Sequence, residues 1–544
     1  MHYDAILFNA SPYSDKKVRG LGAHKIANTL RKYLDWNVRV FDFTQHFTVK
    51  EFKYIVDKCV SKDTKFVGFS SMWFETSIQG QDDFATEGAG EWKSYREKIG
   101  MFSGSEVDED LGLESDLPMA TMFYVSGGFF DKVASYIRSK GQVKILIGGP
   151  NATLFRENPN VDSIFIGFSE TEILDWATKP SYNNKVINHD QRAWNGSNGY
   201  KFTHDYVSFT DTDLITANEP IPVELSRGCR FACKFCSFPF IGDKNMSTYI
   251  LDKQITDRYF RENYEKHGTT RYVFVDDTFN DSMEKVEHYH DVITNLPFDI
   301  HFWSYIRADV FNKNPDMPRY LMEMGLREAF FGIETLTRET GKIIGKGLDP
   351  ERLKQVLFDA REVWGEQVIT TGSFIVGLPK EKLSDIMKNW MPFLKDERAP
   401  INRPVVHALQ MIPRRFSTQY PDMHFSHFDK HYEEYGYSFP NENNNETDPE
   451  VMEWIKDEGP DGINSKTEAQ EVADWINQDL HRESKWIDVT SAALDLPVFD
   501  DFKSLINMPY MDQKKLLETG TPRPRIIHKE LLYKNYIKPT LESL

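Results

Sequence analysis

The chain has 544 residues, which is more than one hydrophobic core accommodates, so we expect two or three domains. Its 40% apolar and 27% charged residues fit a soluble globular protein, and its formal charge of −18 argues against generic nucleic-acid binding, which needs a basic surface. No apolar run reaches the ~18–20 residues of a membrane span, and the N-terminal stretch lacks the features of a signal peptide, so we expect a cytoplasmic protein with no membrane partner.

Residues 1–180 alternate short apolar strands with amphipathic helices, which predicts a doubly wound, Rossmann-like parallel sheet. The strand candidates are 5–9, 38–43, 66–71, 144–149 and 163–168. Ligands of such sheets bind beyond the carboxyl ends of the strands. Glycine-rich strand ends are also found in tight turns that bind no ligand, so that alternative stays open. The candidate residues at those ends are Ser70, Ser71, Gly148, Gly149, Gly167 and Glu170.

An acidic, glycine-rich insertion at about 79–118 interrupts this first block and is too long for an ordinary connection. A polar stretch, 181–210, predicts a linker. Residues 211–425 then alternate strands and helices again, as expected for a partial (β/α)6 barrel. The remainder, 426–544, predicts an irregular, partly helical extension that helps to shape a substrate pocket. The barrel strand candidates are 222–226, 272–276, 301–306, 329–334, 369–377 and 405–412.

Three of the four cysteines, Cys229, Cys233 and Cys236, follow the first barrel strand within eight positions. Thiolates suit zinc or iron–sulfur clusters, and structural zinc wants four closed ligands. Cys59 lies far away on the apolar face of a predicted helix, so we expect it to be buried and structural. Three ligands suit a 4Fe–4S cluster with one iron open, with a zinc site completed by a distant histidine as the alternative.

The stretch "SRGCRFACKFC" resembles the signature of the radical S-adenosylmethionine (SAM) superfamily, with the aromatic Phe235 before the third cysteine. "VFVDDTF", "FWSYIRAD", "FFGIET" and "FIVGLPKE" are similar to later barrel strands of that family and occur in its order. The resemblance implies that SAM chelates the open iron of the cluster. One electron then cleaves SAM to methionine and a 5′-deoxyadenosyl radical, which requires a donor such as a flavodoxin or ferredoxin.

The resemblance also implies a SAM-binding role for residues at the strand ends. Glu334 is expected to accept hydrogen bonds from the ribose, and Arg307 to hold the SAM carboxylate, with an ion pair between Arg307 and Asp309 as the alternative. Asp277, the second of two adjacent carboxylates, is expected at the barrel mouth. Gly377 offers bare backbone beside which an adenine can lie. These four, with Phe235, are the predicted SAM contacts.

The first block resembles the cobalamin-binding-like domain that precedes the barrel in one branch of this superfamily. The matching stretches are "RGLGAHKIANTLRKYL", "IGGPNAT" and "VDSIFIGFSETE". The resemblance implies cobalamin at the sheet residues named above, with the carboxyl ends of that sheet facing the cysteine loop. Two features depart from the pattern: the Asp-x-His-x-x-Gly motif is absent, and bulky Trp73 and Phe74 stand where a corrin edge is expected.

The sequence therefore predicts a cobalamin-dependent radical SAM enzyme that methylates an unactivated carbon. A radical SAM enzyme that uses no cobalamin and catalyses a rearrangement or oxidation is the alternative. A non-catalytic iron–sulfur or zinc protein is a second alternative, from a different class. The sequence does not name the substrate.

Overall fold

The computed structural model describes most of the chain. The described residues are 2–10, 18–71, 112–116, 119, 128–149, 152–179, 185–188, 199–216, 219–238, 249–365, 367–396, 398–419, 425–440, 452–483 and 532–544. Most of the predicted insertion, together with Trp73 and Phe74, lies outside these ranges. No described helix has the length and apolar character needed to cross a membrane.

The first sheet is fully parallel and has the strand order β2-β1-β3-β4-β5-β6 among the described residues. Its strands are β1 Ala5–Phe8, β2 Val38–Phe41, β3 Phe66–Ser70, β4 Lys144–Gly148, β5 Ser163–Ile166 and β6 Val186–Asn188. This order confirms the predicted Rossmann-like sheet. The sixth strand lies inside the segment 181–210, for which the sequence analysis predicted a linker. Strand β6 has three residues and one buried side chain, Ile187, so it is too short to show the alternation of apolar and polar residues that predicts a strand.

Four described α-helices cover this sheet: α1 Leu21–Leu34, α2 Val49–Cys59, α3 Phe129–Arg138 and α4 Glu170–Thr178. Helix α2 begins at a capping box in which the Thr48 hydroxyl accepts from the Glu51 backbone and the Glu51 carboxylate accepts from the Thr48 backbone. Its buried face ends at Cys59, which is 2% exposed. Burial raises the pKa of this thiol to about 11, as expected for a structural cysteine.

The second sheet is also parallel, and its strands follow chain order from β7 to β12. They are β7 Ile221–Val223, β8 Arg271–Phe274, β9 His301–Ile306, β10 Leu326–Glu334, β11 Ile369–Val376 and β12 Arg403–Ala408. Six parallel strands that add one after another, with helices between them, form the partial barrel predicted from the sequence.

The described barrel helices are α5 Lys253–His267, α6 Met283–Ile293, α7 Met317–Glu323, α8 Arg338–Ile344, α9 Pro350–Trp364, α10 Leu383–Asp385 and α11 Met391–Lys395. Local sequence explains several of their ends. Asp349 caps α9 and is followed by a proline at the first helical position, where no backbone N–H is needed. Gly268 ends α5 in the left-handed conformation that glycine adopts without steric cost.

Helix α12 Arg414–Gln419 follows the last barrel strand, and the extension contributes α13 His427–His431, α14 Lys466–Glu483 and α15 Lys538–Glu542. Helix α14 packs against β12, where the Asn477 side chain both accepts from and donates to the Val406 backbone. The edge of the barrel sheet is thereby covered. The chain then returns to the first domain, where Tyr536 is buried and its hydroxyl accepts from the Asp42 backbone N–H at 2.7 Å.

Candidate functional site: two cavities at the barrel mouth

The cysteine loop follows β7 and is held against α8. Cys229 and Cys233 are buried, and Cys236 is half-buried. The Cys236 N–H donates to the Cys233 carbonyl at 3.1 Å, and the Lys234 N–H donates to the Ile344 carbonyl at 3.1 Å. The three cysteines line one cavity of about 410 Å³, which we call the cluster cavity.

The thiols already contact polar partners. The Cys229 thiol donates to the Thr278 hydroxyl at 3.4 Å, and Arg307 Nη1 lies 3.1 Å from the Cys233 sulfur. Burial raises the pKa of Cys229 and raises that of Cys236 to about 12. Within the described ranges no three His, Cys, Asp or Glu side chains are close enough to hold one metal ion. The thiolates of an iron–sulfur cubane each bind a different iron and stand further apart than the ligands of a single ion.

Glu334, at the carboxyl end of β10, lines the cluster cavity and is buried. Its φ is +69°, a left-handed conformation that is strained for a residue other than glycine. Burial raises the pKa of its carboxyl group, while Lys346, whose Nζ lies 3.6 Å from Oε1, acts in the opposite direction. Strain of this kind is retained where the surroundings or the function demand that side chain in that place.

Arg307 follows β9 and is committed to protein partners. Its Nε and Nη2 donate to the Asp309 carboxylate at 2.9 and 2.6 Å, and its guanidinium lies 3.8 Å from the centroid of the Phe231 ring. The ion pair with Asp309 that the sequence left open is therefore present. The other cation of this cavity, Lys346, was not identified from the sequence; its only signal is a lysine between two glycines after α8.

The two adjacent carboxylates after β8 have different surroundings. Asp276 accepts from the backbone N–H groups of Leu225 and Ser226 and lies 3.1 Å from Lys285 Nζ, so it anchors the start of the cysteine loop. Asp277 lines the cluster cavity. Burial, with the nearby charge of Asp276, raises the pKa of Asp277 to about 7.

Phe235 also lines the cluster cavity, whereas Gly377 is not among its described lining residues. Gly377 has φ of +93°, and a Cβ placed there would lie 2.7 Å from the Trp454 ring. The Tyr437 hydroxyl donates to the Gly377 carbonyl at 2.6 Å. The extension thus covers the turn at which the sequence predicted adenine contact, and the geometry gives that prediction no support.

A second cavity, of about 340 Å³, lies at the carboxyl edge of the first sheet, and we call it the sheet-edge cavity. Five of the six predicted residues line it: Ser70, Gly148, Gly149, Gly167 and Glu170. The sixth, Ser71, is fully buried behind Gly149, where a Cβ on the glycine would lie 2.7 Å from the Ser71 hydroxyl.

The barrel closes the other side of the sheet-edge cavity. Glu224, Ser226, Val275 and Asp277, from the ends of β7 and β8, line it together with the sheet residues. The carboxyl edge of the first sheet therefore faces the start of the cysteine loop, as the sequence analysis expected. Asp277 lines both cavities, so it lies where they adjoin.

A buried ion pair connects the two domains beside the sheet-edge cavity. Both Nη atoms of Arg227 donate to Glu170, and its Nε donates to Glu224 at 3.0 Å. The guanidinium lies 4.1 Å from the Phe168 ring centroid and 4.5 Å from that of Phe202. Burial alone would raise the pKa of Glu170, but Arg227 and Lys25 lower it to about 2. The sequence offered Glu170 as a ligand contact and gave no signal for its pairing with Arg227.

Comparison with known proteins finds one similar curated protein. A curated relative, an uncharacterized methyltransferase of Pyrococcus horikoshii, is 26% identical over 281 residues. The aligned region is 47% of this chain and 58% of the relative, so the chain spans less than two thirds of that protein.

Two solved structures have a similar fold. TsrM of Kitasatospora setae, described as a radical S-adenosylmethionine methyltransferase with cobalamin and a [4Fe–4S] cluster bound, matches with a TM-score of 0.50 at 12% identity over 75% of each chain. OxsB, described as a cobalamin-dependent S-adenosylmethionine radical enzyme, matches with a TM-score of 0.52 at 13% identity over 98% of this chain and 75% of its own.

Residues 223–389 match the Radical SAM superfamily, and they contain the cysteine loop and the barrel strands from the end of β7 to β11. The structural matches agree with that assignment at the level of the fold. The chain therefore carries a Radical SAM superfamily domain at residues 223–389.

Proposed function

We propose that the chain binds a 4Fe–4S cluster through Cys229, Cys233 and Cys236 and uses it to cleave SAM. The observation that carries this proposal is that three buried or half-buried thiols line one cavity with a carboxylate and a lysine at strand ends. The donor set suits iron–sulfur chemistry because all three ligands are soft sulfurs. When bound, the cluster would supply an open iron for SAM and the electron that cleaves it to methionine and a 5′-deoxyadenosyl radical.

The residues of the cluster cavity would orient SAM. Glu334 offers carboxylate oxygens to the ribose hydroxyls, and its strained backbone directs them into the cavity. Lys346 provides a positive charge beside it, suited to the carboxylate of SAM. Arg307, held by Asp309, would support the loop through Cys233. Phe235 contributes apolar lining that limits access of water to a reactive radical.

We further propose that the sheet-edge cavity binds cobalamin. A large planar ligand needs close backbone approach, and a Cβ at Gly148 would meet only Phe165, at 4.0 Å, while one at Gly22 would meet nothing within 4 Å. Both glycines therefore face open space. No histidine occurs among the described residues that line the sheet-edge cavity, so these residues offer no imidazole ligand for cobalt. When bound, cobalamin would supply a methyl group for transfer.

The position of the sheet-edge cavity supports methyl transfer as the overall reaction. A methyl group reaches a substrate only near contact distance, and the two cavities adjoin at Asp277. TsrM and OxsB, which share this fold, are described with cobalamin. The reaction we propose is hydrogen abstraction from a substrate carbon by the adenosyl radical, followed by methylation of that carbon. A cluster reductant and a substrate are the partners this requires.

Anaerobic reconstitution tests the proposal. Replacing Cys229, Cys233 or Cys236 by Ala should abolish the visible absorption of the cluster and SAM cleavage, whereas Cys59→Ala should leave both intact. A cluster that persists in the triple Ala variant would overturn the ligand assignment. A corrin absorption spectrum after incubation with hydroxocobalamin separates the cobalamin-dependent enzyme from one that performs radical chemistry without it.

A further inference from the structure

The cluster cavity includes a wall that lies outside the residues assigned above to the cluster and to SAM. Four residues on four successive strands form it: Tyr305 on β9, Phe330 on β10, Ser373 on β11 and His407 on β12. All four line the cavity, and Tyr305 and Phe330 are register partners. We call these four residues the strand wall.

Strand register places the rest of the strand wall on the same face. Ser373 is the register partner of Gly332, which stands two positions after Phe330. His407 is the register partner of Ile375, which stands two positions after Ser373. Side chains two positions apart on a strand point to the same side of the sheet, as do register partners on neighbouring strands. The strand wall is therefore one continuous surface.

Two residues of the strand wall present aromatic rings that a third ring holds in place. The rings of Tyr305 and Phe330 meet edge to face, with their centroids 5.1 Å apart and an interplanar angle of 73°. The buried Trp303 ring lies 4.7 Å from that of Tyr305 and 6.3 Å from that of Phe330. Such packing fixes the rings before a ligand arrives, and aromatic rings prefer another aromatic ring as a contact.

The other two residues of the strand wall offer polar groups. His407 is exposed, and its ring lines the cavity. Among the residues that the structure describes, neither its imidazole nor the Ser373 hydroxyl has a hydrogen-bond or ion-pair partner. Loss of hydration lowers the pKa of His407 below its usual 6.5. The ring is therefore neutral near pH 7 and offers one N–H donor and one acceptor to a ligand.

The strand wall carries no charge, and the charged residues of the cavity stand elsewhere. Arg307 is paired with Asp309, and Lys346 Nζ lies 3.6 Å from the Glu334 carboxylate. Asp277 follows β8, which contributes no residue to the strand wall. A charged group held against the strand wall would lose its water without gaining a counter-charge. The strand wall therefore favours an uncharged ligand.

We propose that the strand wall binds the substrate through an uncharged aromatic heterocycle, which lies against Tyr305 and Phe330 and accepts a hydrogen bond from His407. This rests on the proposed function, because the cavity holds a substrate only if the cysteines hold the cluster that acts on it. The Ser373 hydroxyl offers a hydrogen bond to a substituent of the ring. His407 is then the residue that selects a heterocycle over a hydrocarbon of the same shape, because a hydrocarbon leaves the desolvated imidazole N–H unpaired.

Binding of small ring compounds tests the proposal. The probes are quinoline, naphthalene, which lacks the ring nitrogen, and decahydronaphthalene, which is neither flat nor aromatic. Each is titrated onto the reconstituted chain with SAM and without reductant, so that SAM is not cleaved, and saturation-transfer NMR gives the Kd. We expect naphthalene to bind about two- to tenfold more weakly than quinoline through loss of one hydrogen bond. Decahydronaphthalene should bind about two- to tenfold more weakly again through loss of the aromatic contact.

Variants of His407 identify the group that recognises the nitrogen. His407→Leu should abolish the preference for quinoline over naphthalene, whereas His407→Gln, which retains a side-chain N–H, should keep it. His290→Leu is the matched control, because His290 lies on α6 and is not among the described lining residues of the cavity. The SAM affinity of all three variants should stay within about twofold of the wild type, which separates a substrate contact from a SAM contact.

Several results would overturn the proposal. Quinoline that binds no more tightly than naphthalene, a preference that survives His407→Leu, or a loss of SAM affinity in that variant would remove the role of His407. Decahydronaphthalene that binds as tightly as naphthalene would remove the aromatic contact. Tighter binding of quinoline-4-carboxylate or 4-(aminomethyl)quinoline than of quinoline would show that the cavity selects a charge, through Lys346 or Asp277. Failure of the proposed function has a different signature, because no cluster then assembles while the cluster-free chain still prefers quinoline.

Discussion

Glu170→Gln removes the charge that Arg227 meets across the domain boundary while keeping the shape of the side chain. Both side chains are buried, at 4% and 1% exposure. Removing one member of a buried ion pair leaves the other charge uncompensated, which costs about 3–5 kcal/mol. Arg227 keeps its two hydrogen bonds to Glu224, at 3.0 and 3.1 Å, so we expect the lower end of that range, about 3 kcal/mol.

The assay is urea unfolding of the cluster-free chain followed by far-UV circular dichroism. Arg227→Met and the double variant complete the cycle, and we expect a coupling energy of about 2 kcal/mol or more between Glu170 and Arg227. Asp291→Asn is the control, because the pair between Asp291 and Lys253 is exposed and its loss should leave the unfolding free energy almost unchanged.

The same pair has a predicted pH dependence. The folded pKa of Glu170 is about 2, below its ordinary value of 4.5. Its contribution to stability is therefore fully present above about pH 4.5 and is lost as the pH falls towards 2. Glu170→Gln should flatten the stability profile over this window. A variant with unchanged unfolding free energy, or with a coupling energy near zero, would refute the claim that this ion pair joins the domains.

Three further predictions concern one residue of each cavity and Glu381, a buried residue that follows β11 in the barrel. Glu334→Gln should weaken SAM binding by roughly ten- to a hundredfold through loss of a charge-assisted hydrogen bond worth ~1.5–3 kcal/mol, and an unchanged SAM affinity by isothermal calorimetry would mean that the residue is structural. Gly148→Leu should block cobalamin uptake, measured by corrin absorbance, while the cluster assembles normally, because a side chain at this position enters open space. Burial raises the pKa of Glu381 from 4.5 to about 8, so the folded state retains a proton and stability should fall as the pH rises from about 5 to 8. Glu381→Gln should remove this dependence of stability on pH, measured by thermal unfolding at several pH values. A variant whose stability falls with pH as steeply as that of the wild type would contradict the raised pKa of Glu381.

The elements of both sheets could be predicted because their strands are short apolar runs separated by helical periodicity. The parallel orientation of the strands in each sheet follows from the alternation of strands and helices along the chain. The cysteine loop could be predicted for a similar reason, since three soft ligands close in sequence remain close in space. Strand β6 could not be predicted, because Val186–Asn188 is three residues long and carries one buried side chain.

Pairings between distant segments also lay beyond the sequence. Arg227 and Glu170 are 57 positions apart, and Tyr536 meets Asp42 across 494 positions. Neither pair has a local pattern, because a charged or phenolic side chain gives no indication of which partner it will meet. The covering of Gly377 by Trp454 belongs to the same class, since the extension has no periodicity that fixes its docking site.

The central claim is that the three cysteines hold a cluster that cleaves SAM. The most direct measurement is anaerobic reconstitution with iron and sulfide, followed by addition of SAM and a low-potential reductant and quantification of 5′-deoxyadenosine. Our account predicts about four irons per chain and 5′-deoxyadenosine formation that is lost in Cys233→Ala and retained in Cys59→Ala. A reconstituted chain that binds zinc in place of iron, or that holds a cluster and yields no cleavage product from SAM, would contradict it.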